Sequence, residues 1–254
     1  MKKFTDKIGV IGFGNMGSAI FSGLIKSGNF DEKDFIFSNG GSENIKVVKE
    51  ASIIIISVKP LIVNDVLNQI KPYLTKEKLL VSIAAGVTIA EIKNVIGEAF
   101  PVVRVMPNIC AEFGKSMSCW MKSGEVSDSQ VEKVKYILKS IGEEVMIDNE
   151  EIFGEITVIA GSGPAYFLYI AELLSNYADK IKLNPELAKK LIKQTFIGAA
   201  SMLSESDKDA KKIREEITSK GGTTEAVFGV LGDNEFEKIF LKGLEAGRKR
   251  ASGL

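Results

Sequence analysis

Over residues 1–149, short apolar runs alternate with stretches whose apolar positions recur every three to four residues. The runs predict strands at 7–11, 35–37, 53–58, 79–84, 102–106, 117–120 and 144–147. The spaced stretches predict helices at 18–27, 43–51, 61–74, 89–96 and 127–141, the last capped by Ser127. The run IIIISV at 53–58 is uniformly apolar, as expected of a parallel strand covered on both faces. Alternation of this kind predicts a doubly wound parallel α/β sheet. From residue 150 onward helical spacing stands alone, at 151–160, 164–181, 185–205, 209–218, 224–231 and 234–251. The expected organisation is therefore an α/β domain over 1–149 and an all-α domain over 150–254, with no internal repeat.

The first strand runs straight into Gly12-Phe13-Gly14-Asn15-Met16-Gly17, and a helix follows. In that context GxGxxG is the phosphate-binding turn of a Rossmann-type dinucleotide site. The first glycine permits the tight turn, the second lets backbone approach the pyrophosphate, and the third allows close packing of helix on strand. An NAD site usually carries an acidic residue at the end of the second strand for the ribose 2′-OH. Ser38 and Asn39 stand there instead, followed by Gly40-Gly41. Neutral side chains do not repel a 2′-phosphate, so NADPH is the expected cofactor, with NADH left open and no clamping arginine in sight.

Val58-Lys59-Pro60 and Ala84-Ala85-Gly86 end two neighbouring strands at the C-terminal edge of the sheet, where open α/β folds bind ligands. Small residues at 84–86 would let a flat nicotinamide lie against the backbone; ordinary strand-end turns are the plain alternative. In the helical region, Thr218-Ser219-Lys220-Gly221-Gly222-Thr223-Thr224-Glu225 sits where one helix ends and another begins. Simple helix capping and a carboxylate-binding nest explain its glycines and hydroxyls equally well.

Composition narrows the chemistry. The 254 residues include no histidine, which excludes Ser-His-Asp hydrolysis and His-ligated zinc. Cys110 and Cys119 show no CxxC spacing, so no metal set is expected and both read as reduced thiols of a cytosolic protein. Lys+Arg and Asp+Glu balance at 33 each, giving no field for nucleic acid or an anionic membrane. The local GRKRA at 247–251 reads as a cationic helix end. The opening MKKFTDK lacks the apolar stretch of a signal peptide. Residues 156–174 are nearly uncharged and long enough to span a bilayer, but Gly161-Ser162-Gly163-Pro164 lies inside them. A buried subunit-interface helix is the expectation.

Taken together, IGFGNMG, SVKP, SIAAGVTI, RVMPN, AGSGPAYF and TSKGGTTEAV resemble the pyrroline-5-carboxylate reductases over essentially the whole chain. The resemblance implies an NAD(P)-binding Rossmann domain, a C-terminal helical dimerisation domain and an active site between domains. It also implies homodimers that assemble up to decamers. The implied reaction is reduction of the C=N bond of 1-pyrroline-5-carboxylate to L-proline by NADPH. By motif position, Ile11, Gly12, Phe13, Gly14, Asn15, Met16 and Gly17 would hold the pyrophosphate. Ser38, Asn39 and Asn44 would lie near the adenosine ribose, and Val58, Lys59, Pro60, Ala84, Ala85 and Gly86 along the nicotinamide half. Ser219, Gly221, Gly222, Thr223 and Thr224 would bind the substrate, with Glu150 near the same pocket and Thr224 contacting the imine nitrogen.

Two departures stand out. Lys220 replaces the proline of the family's TSPGGTT. Only residues 38–52 join the second strand to IIIISVKP, where the family places a further helix and edge strand, about twenty residues by the size of a βα unit. That shortening is expected to expose a new sheet edge, thin the wall around the adenosine ribose and weaken cofactor binding. Two rival readings remain at this point. One is another NADP-dependent dehydrogenase of the same two-domain plan; the other is a catalytically silent dinucleotide-binding scaffold.

Overall fold

Seven strands form one sheet in the computed structural model, which describes residues 6–252. Residues 1–5, on which the expectation of no signal peptide partly rests, lie outside them, as do 253–254. The strands are β1 (Ile8–Ile11), β2 (Phe35–Ser38), β3 (Ile53–Ile56), β4 (Leu79–Ser82), β5 (Val102–Met106), β6 (Ser116–Lys122) and β7 (Gly142–Met146), in the order β2-β1-β3-β4-β5-β6-β7. Helices α1 (Asn15–Lys26), α2 (Glu43–Glu50), α3 (Val63–Ile70), α4 (Ile89–Ile96) and α5 (Asp128–Lys139) connect them.

The IIII run shows how the sheet is covered. Ile53 and Ile55 join one core with Ile20 and Leu24 of α1 and Val134 and Ile137 of α5. Ile54 and Ile56 join a second core on the other face with Val47, Leu67 and Ile92 of α2, α3 and α4. Alternate side chains of one strand thus feed opposite layers, and each must be apolar.

One strand departs from the expected parallel run: β6 pairs antiparallel with β5, Val105 opposite Trp120. The link between them holds only a short 3₁₀ segment, Ile109–Phe113, whereas a parallel return needs a crossover of a dozen residues or more. The expected helix at 61–74 is also trimmed. Its regular part stops at Ile70, and Pro60 and Pro72 seed 3₁₀ turns at either end. On the opposite flank β2 has β1 as its single neighbour. Among the described residues no strand lies beyond it, in keeping with the short 38–52 connection.

The chain divides into two compact units, the first comprising 1–164 and 247–254, the second 165–246. Compactness therefore divides the chain later than the change of periodicity at 149–150. The reason is that 150–161 folds onto the sheet. It forms a 3₁₀ turn (Glu150–Ile152), α6 (Phe153–Ile156) and a π turn (Thr157–Gly161) rather than the single helix expected there. Asn108, at the end of β5, donates from Nδ2 to the Ala160 carbonyl at 2.9 Å. In a regular helix that carbonyl would take the N–H of residue 164, which is proline and has none.

The second unit is built from the rest of α7 (Gly163–Lys180), α8 (Pro185–Glu205), α9 (Ala210–Glu216), α10 (Thr223–Asp233) and most of α11 (Phe236–Ser252). Tyr166 meets Phe240 edge-on at 5.8 Å between ring centroids. Phe167, Leu168, Tyr169 and Leu191 remain exposed. The stretch Glu150–Lys180 is long and apolar enough to cross a membrane by length and composition.

Candidate active site

The glycine turn closes over the end of β3. Gly12 has φ +93°, and a Cβ there would stand 2.7 Å from the Ser57 carbonyl oxygen. A Cβ on Gly17 would meet the Gly12 carbonyl at 2.6 Å. Gly14, the N-cap of α1, has nothing within 4 Å of its missing Cβ and offers no capping side chain. Ser18 makes the first bond of the helix, to the Gly14 carbonyl at 2.9 Å, so the N–H groups of Asn15, Met16 and Gly17 face outward without helical partners. No acidic residue sits in that first turn. The Ser57 hydroxyl beneath the turn is buried and has no partner among the described residues. Two glycines forced by backbone contact, one opening onto free space, and a row of unused donors fit a dinucleotide pyrophosphate.

At the β2 end the residues expected near the ribose divide into two groups. Asn39 is exposed and accepts the Phe13 N–H on Oδ1 at 3.0 Å, tying the strand end to the glycine turn. Ser38 and Asn44 are buried. The Ser38 hydroxyl donates to Asn44 Oδ1 at 2.7 Å and accepts the Gly40 N–H at 2.9 Å. Asn44 Nδ2 donates to Gln69 Oε1, and Gln69 Nε2 to the Gly41 carbonyl, both at 2.7 Å. This closed chain of bonds, with φ +61° at Gly41, builds the floor of the loop from side chains. Ser38 and Asn44 therefore act on the loop's shape and do not face outward.

Along the sheet edge, a groove of about 390 Å³ brings Lys59, Pro60 and Gly86 together with Asn64 and Val87. Gly86 has φ +76°, which a side chain would oppose. Val58 and Ala85 are partly buried and Ala84 is buried. Arg250, from the basic GRKRA segment, also lines this groove, so that segment does more than end a helix.

The remaining expected residues lie in the second unit. Gly222 is the N-cap of α10, again with no side-chain cap. Its own N–H donates to the Ser219 carbonyl at 3.0 Å, and the Gly221 N–H donates to Glu225 Oε2 at 2.7 Å. Ala226 makes the first helical bond, to Gly222, which leaves the N–H groups of Thr223 and Thr224 unclaimed at the helix start. Thr223 is exposed and Thr224 half-buried. The loop thus satisfies its glycine donors internally and turns its two threonines to the helix mouth.

Glu150 belongs to the first unit, where its Oε1 accepts the Ile89 N–H at 2.8 Å and Arg104 Nη1 at 2.9 Å. Arg104 is buried on β5 and lies over the Phe153 ring at 4.1 Å. Arg104 and Asn108 fall in the RVMPN motif but were given no role by the sequence pattern, and Phe153 was not singled out. A charged residue inside an apolar strand, and GSGP after a helical start, were the signals available for them.

Burial pushes the Cys110 and Cys119 thiols up, so neither is a ready nucleophile. Among the described residues no group of three or more Cys, Asp or Glu side chains is placed to hold a metal ion.

Residues 150–254 match the family described as "Pyrroline-5-carboxylate reductase dimerisation", and 37–86 match "NADP oxidoreductase coenzyme F420-dependent". Pyrroline-5-carboxylate reductase 2 of Bacillus subtilis is 35% identical, aligned over 97% of this chain and 94% of its own. That aligned span of 263 residues exceeds the 254 of this chain, so the relative carries residues absent here. Pyrroline-5-carboxylate reductase of Pseudomonas aeruginosa is 32% identical over 98% of this chain and 97% of its own. Among solved structures, the Plasmodium falciparum pyrroline carboxylate reductase with NADP bound superposes with a TM-score of 0.91 at 30% identity, covering 98% of each chain. The chain therefore belongs to the pyrroline-5-carboxylate reductase family.

Proposed function

We propose that this protein reduces 1-pyrroline-5-carboxylate to L-proline with NADPH, the last step of proline biosynthesis. The full-length relation at 35% identity carries the reading, and the open helix starts of α1 and α10 support it. NADPH, when bound, supplies the hydride that adds to the C=N carbon and leaves as NADP⁺. Asn15, Met16 and Gly17 present backbone donors to its pyrophosphate, and Gly14 leaves the space for it. Neutral Ser38 and Asn39 at the β2 end support NADPH over NADH. Val58, Lys59, Pro60 and Ala84–Gly86 flank the nicotinamide half.

On the substrate side, the Thr223 and Thr224 N–H groups and the Ser219 hydroxyl hold the carboxylate. The Thr224 hydroxyl hydrogen-bonds to the ring nitrogen, whose proton comes from solvent. That source replaces the general acid that a chain without histidine lacks. The protein's main contribution is then to hold donor and acceptor at reacting distance.

The exposed apolar face of α7 and α8 and the dimerisation match over 150–254 support a homodimer, with assembly up to decamers as in the family resemblance. The same match favours a subunit contact over a membrane span for Glu150–Lys180. The protein is assigned to the cytoplasm, with no nucleic-acid or membrane partner. A steady-state assay of NADPH oxidation tests the reading, with pyrroline-5-carboxylate set against 2-hydroxy and 3-hydroxy acids as the reverse-direction controls. Turnover specific to the cyclic imine is expected. NADPH binding without turnover would establish the silent scaffold instead, and activity on a hydroxy acid the related dehydrogenase.

A further inference from the structure

Among the described residues, Glu150 is the side chain from outside the 84–91 segment that bonds to the start of α4. Side chains take three backbone N–H groups at this end of the loop 84–88: Thr88 Oγ1 accepts the Glu91 N–H at 3.1 Å, Glu91 Oε2 accepts the Thr88 N–H at 2.7 Å, and Glu150 Oε1 accepts the Ile89 N–H. The first two are a local capping box. The third reaches across 61 positions of sequence to a carboxylate that has a buried arginine on its other side. Arg104 in turn is fixed from two directions, by Glu150 Oε1 at 2.9 Å and by the face of Phe153. Its Nε is buried with no partner among the described residues. Arg104 is buried whereas Glu150 is partly exposed, so removing Glu150 strands the arginine's charge, while removing Arg104 leaves a partly solvated carboxylate.

We propose that Arg104 and Glu150 are a positioning pair for the hydride transfer. Arg104 orients Glu150, Glu150 pins the N–H of Ile89, and the strand-end loop Ala84–Thr88 is thereby fixed at the height the nicotinamide half requires. The inference rests on the reductase reading and deepens it. It gives Glu150 a place beside the cofactor loop, in contrast to direct contact with substrate. A loop allowed to drift by a fraction of an ångström changes the approach of donor to acceptor while leaving the grip on the pyrophosphate intact.

The test compares Glu150→Ala, Glu150→Gln, Arg104→Met and the double variant Arg104→Met/Glu150→Ala in the full chain. Three quantities are read: kcat and KM with pyrroline-5-carboxylate, NADPH affinity by fluorescence titration, and amide hydrogen exchange at Ile89. Glu150→Ala is expected to lower kcat about 10- to 100-fold with NADPH affinity within about two-fold of the parent. Glu150→Gln, which keeps an acceptor oxygen for Ile89, recovers part of that loss and carries the test should the alanine variant fail to fold. Arg104→Met lowers kcat by a smaller factor, and the double variant is no worse than Glu150→Ala within about two-fold, as expected of residues acting in series. Ile89 exchange accelerates in Glu150→Ala and Arg104→Met.

A rise in KM for pyrroline-5-carboxylate at unchanged kcat, with Arg104→Met silent, would overturn the proposal in favour of direct substrate contact. Unchanged Ile89 exchange, or NADPH affinity falling in step with kcat, would overturn it as well. A parent protein without imine turnover would defeat the reductase reading alone, because Ile89 exchange still reports on the clamp.

Discussion

Helices α1 and α10 both start on glycine, and neither N-cap supplies a side-chain bond. Helices α4, α5, α8 and α9 start on Thr88, Ser127, Asn184 and Asp209, each accepting an N–H from its own first turn. A side-chain cap stabilises a helix by about 1 kcal/mol, and glycine at the same position gives up part of that. The proposed function puts an anion at each glycine start, the pyrophosphate at α1 and the substrate carboxylate at α10. They differ in surroundings. The α1 start is wedged against β3 by Gly12 and Gly17, whereas the α10 start is held by its own loop through Glu225 and Ser219. Helices α2, α3 and α6 also start without a side-chain cap bond, on Ser42, Ile62 and Ile152, so the contrast holds between the two glycine starts and the four capped ones. On the proposed function, the two glycine starts leave their backbone donors to a ligand.

The most direct way to break this contrast is to cap α1. Gly14→Asp places a capping carboxylate where α9 carries Asp209, in an extended backbone conformation (φ −88°, ψ −159°). The expected result is NADPH affinity reduced more than about 100-fold while the melting temperature holds or rises, read by fluorescence titration beside thermal denaturation. Unimpaired cofactor binding would remove α1 from the phosphate site.

The second helix start is sharpened by Thr224→Ala. Losing one hydrogen bond to the reacting nitrogen is expected to cost about 100-fold in kcat, with NADPH affinity within about two-fold of the parent. Equal losses in both would place Thr224 in the general fold of the loop.

Asn39→Ala probes the tie between β2 and the turn. Leaving the Phe13 N–H without its acceptor should weaken NADPH and NADH by the same factor, about five-fold for a bond worth about 1 kcal/mol. Selective weakening of NADPH would give Asn39 a direct role at the 2′-phosphate.

Glu125 serves as the control away from both helix starts. Hydrogen bonds from Lys93 first and Ser123 second hold its carboxyl at about 2, below the ordinary 4.5. A depressed carboxyl stabilises the folded state above its ordinary range and loses that contribution as pH falls through the lower value. Glu125→Gln is expected to lower the melting temperature by about 1–3 °C near neutral pH, without change in kcat. The difference from the parent should close between pH 4.5 and about 2.

Much of the sheet was legible because its physics is local and repetitive. The IIII run announced a strand buried on both faces, and Ile53 to Ile56 do alternate between the two cores. The cap at Ser127 was readable too, and Gln130 completes its box. Strand direction was not, since a strand such as that expected at 117–120 reads the same either way and only the short link after β5 reverses it. The fate of polar side chains was the least legible feature. Ser38, Asn44 and Glu150 each have the chemistry to meet a ligand, and each is instead bonded to a partner distant in sequence or set by the turn: Asn44 to Gln69, Glu150 to Arg104. Residue type gives the capacity for a hydrogen bond, but long-range packing chooses the recipient. The helix starts at Gly14 and near Thr224 were legible because glycine and threonine at those positions carry their meaning in local spacing.

The β2 flank carries one more consequence, for how chain length and catalysis can vary separately. Gly40 and Gly41 have nothing within 4 Å of where a Cβ would stand, and β2 has a single neighbour. A segment spliced between them would extend away from the body while the Ile11–Ser38 and Ile11–Ile56 pairings stayed in register. New chain termini or a reporter peptide placed there would be tolerated on the same grounds, since exposed turn tips accept such grafts. This corner is therefore where the sheet edge can change in length, at the expense of the Ser38–Asn44–Gln69 bonds that shape the loop and not of the hydride end.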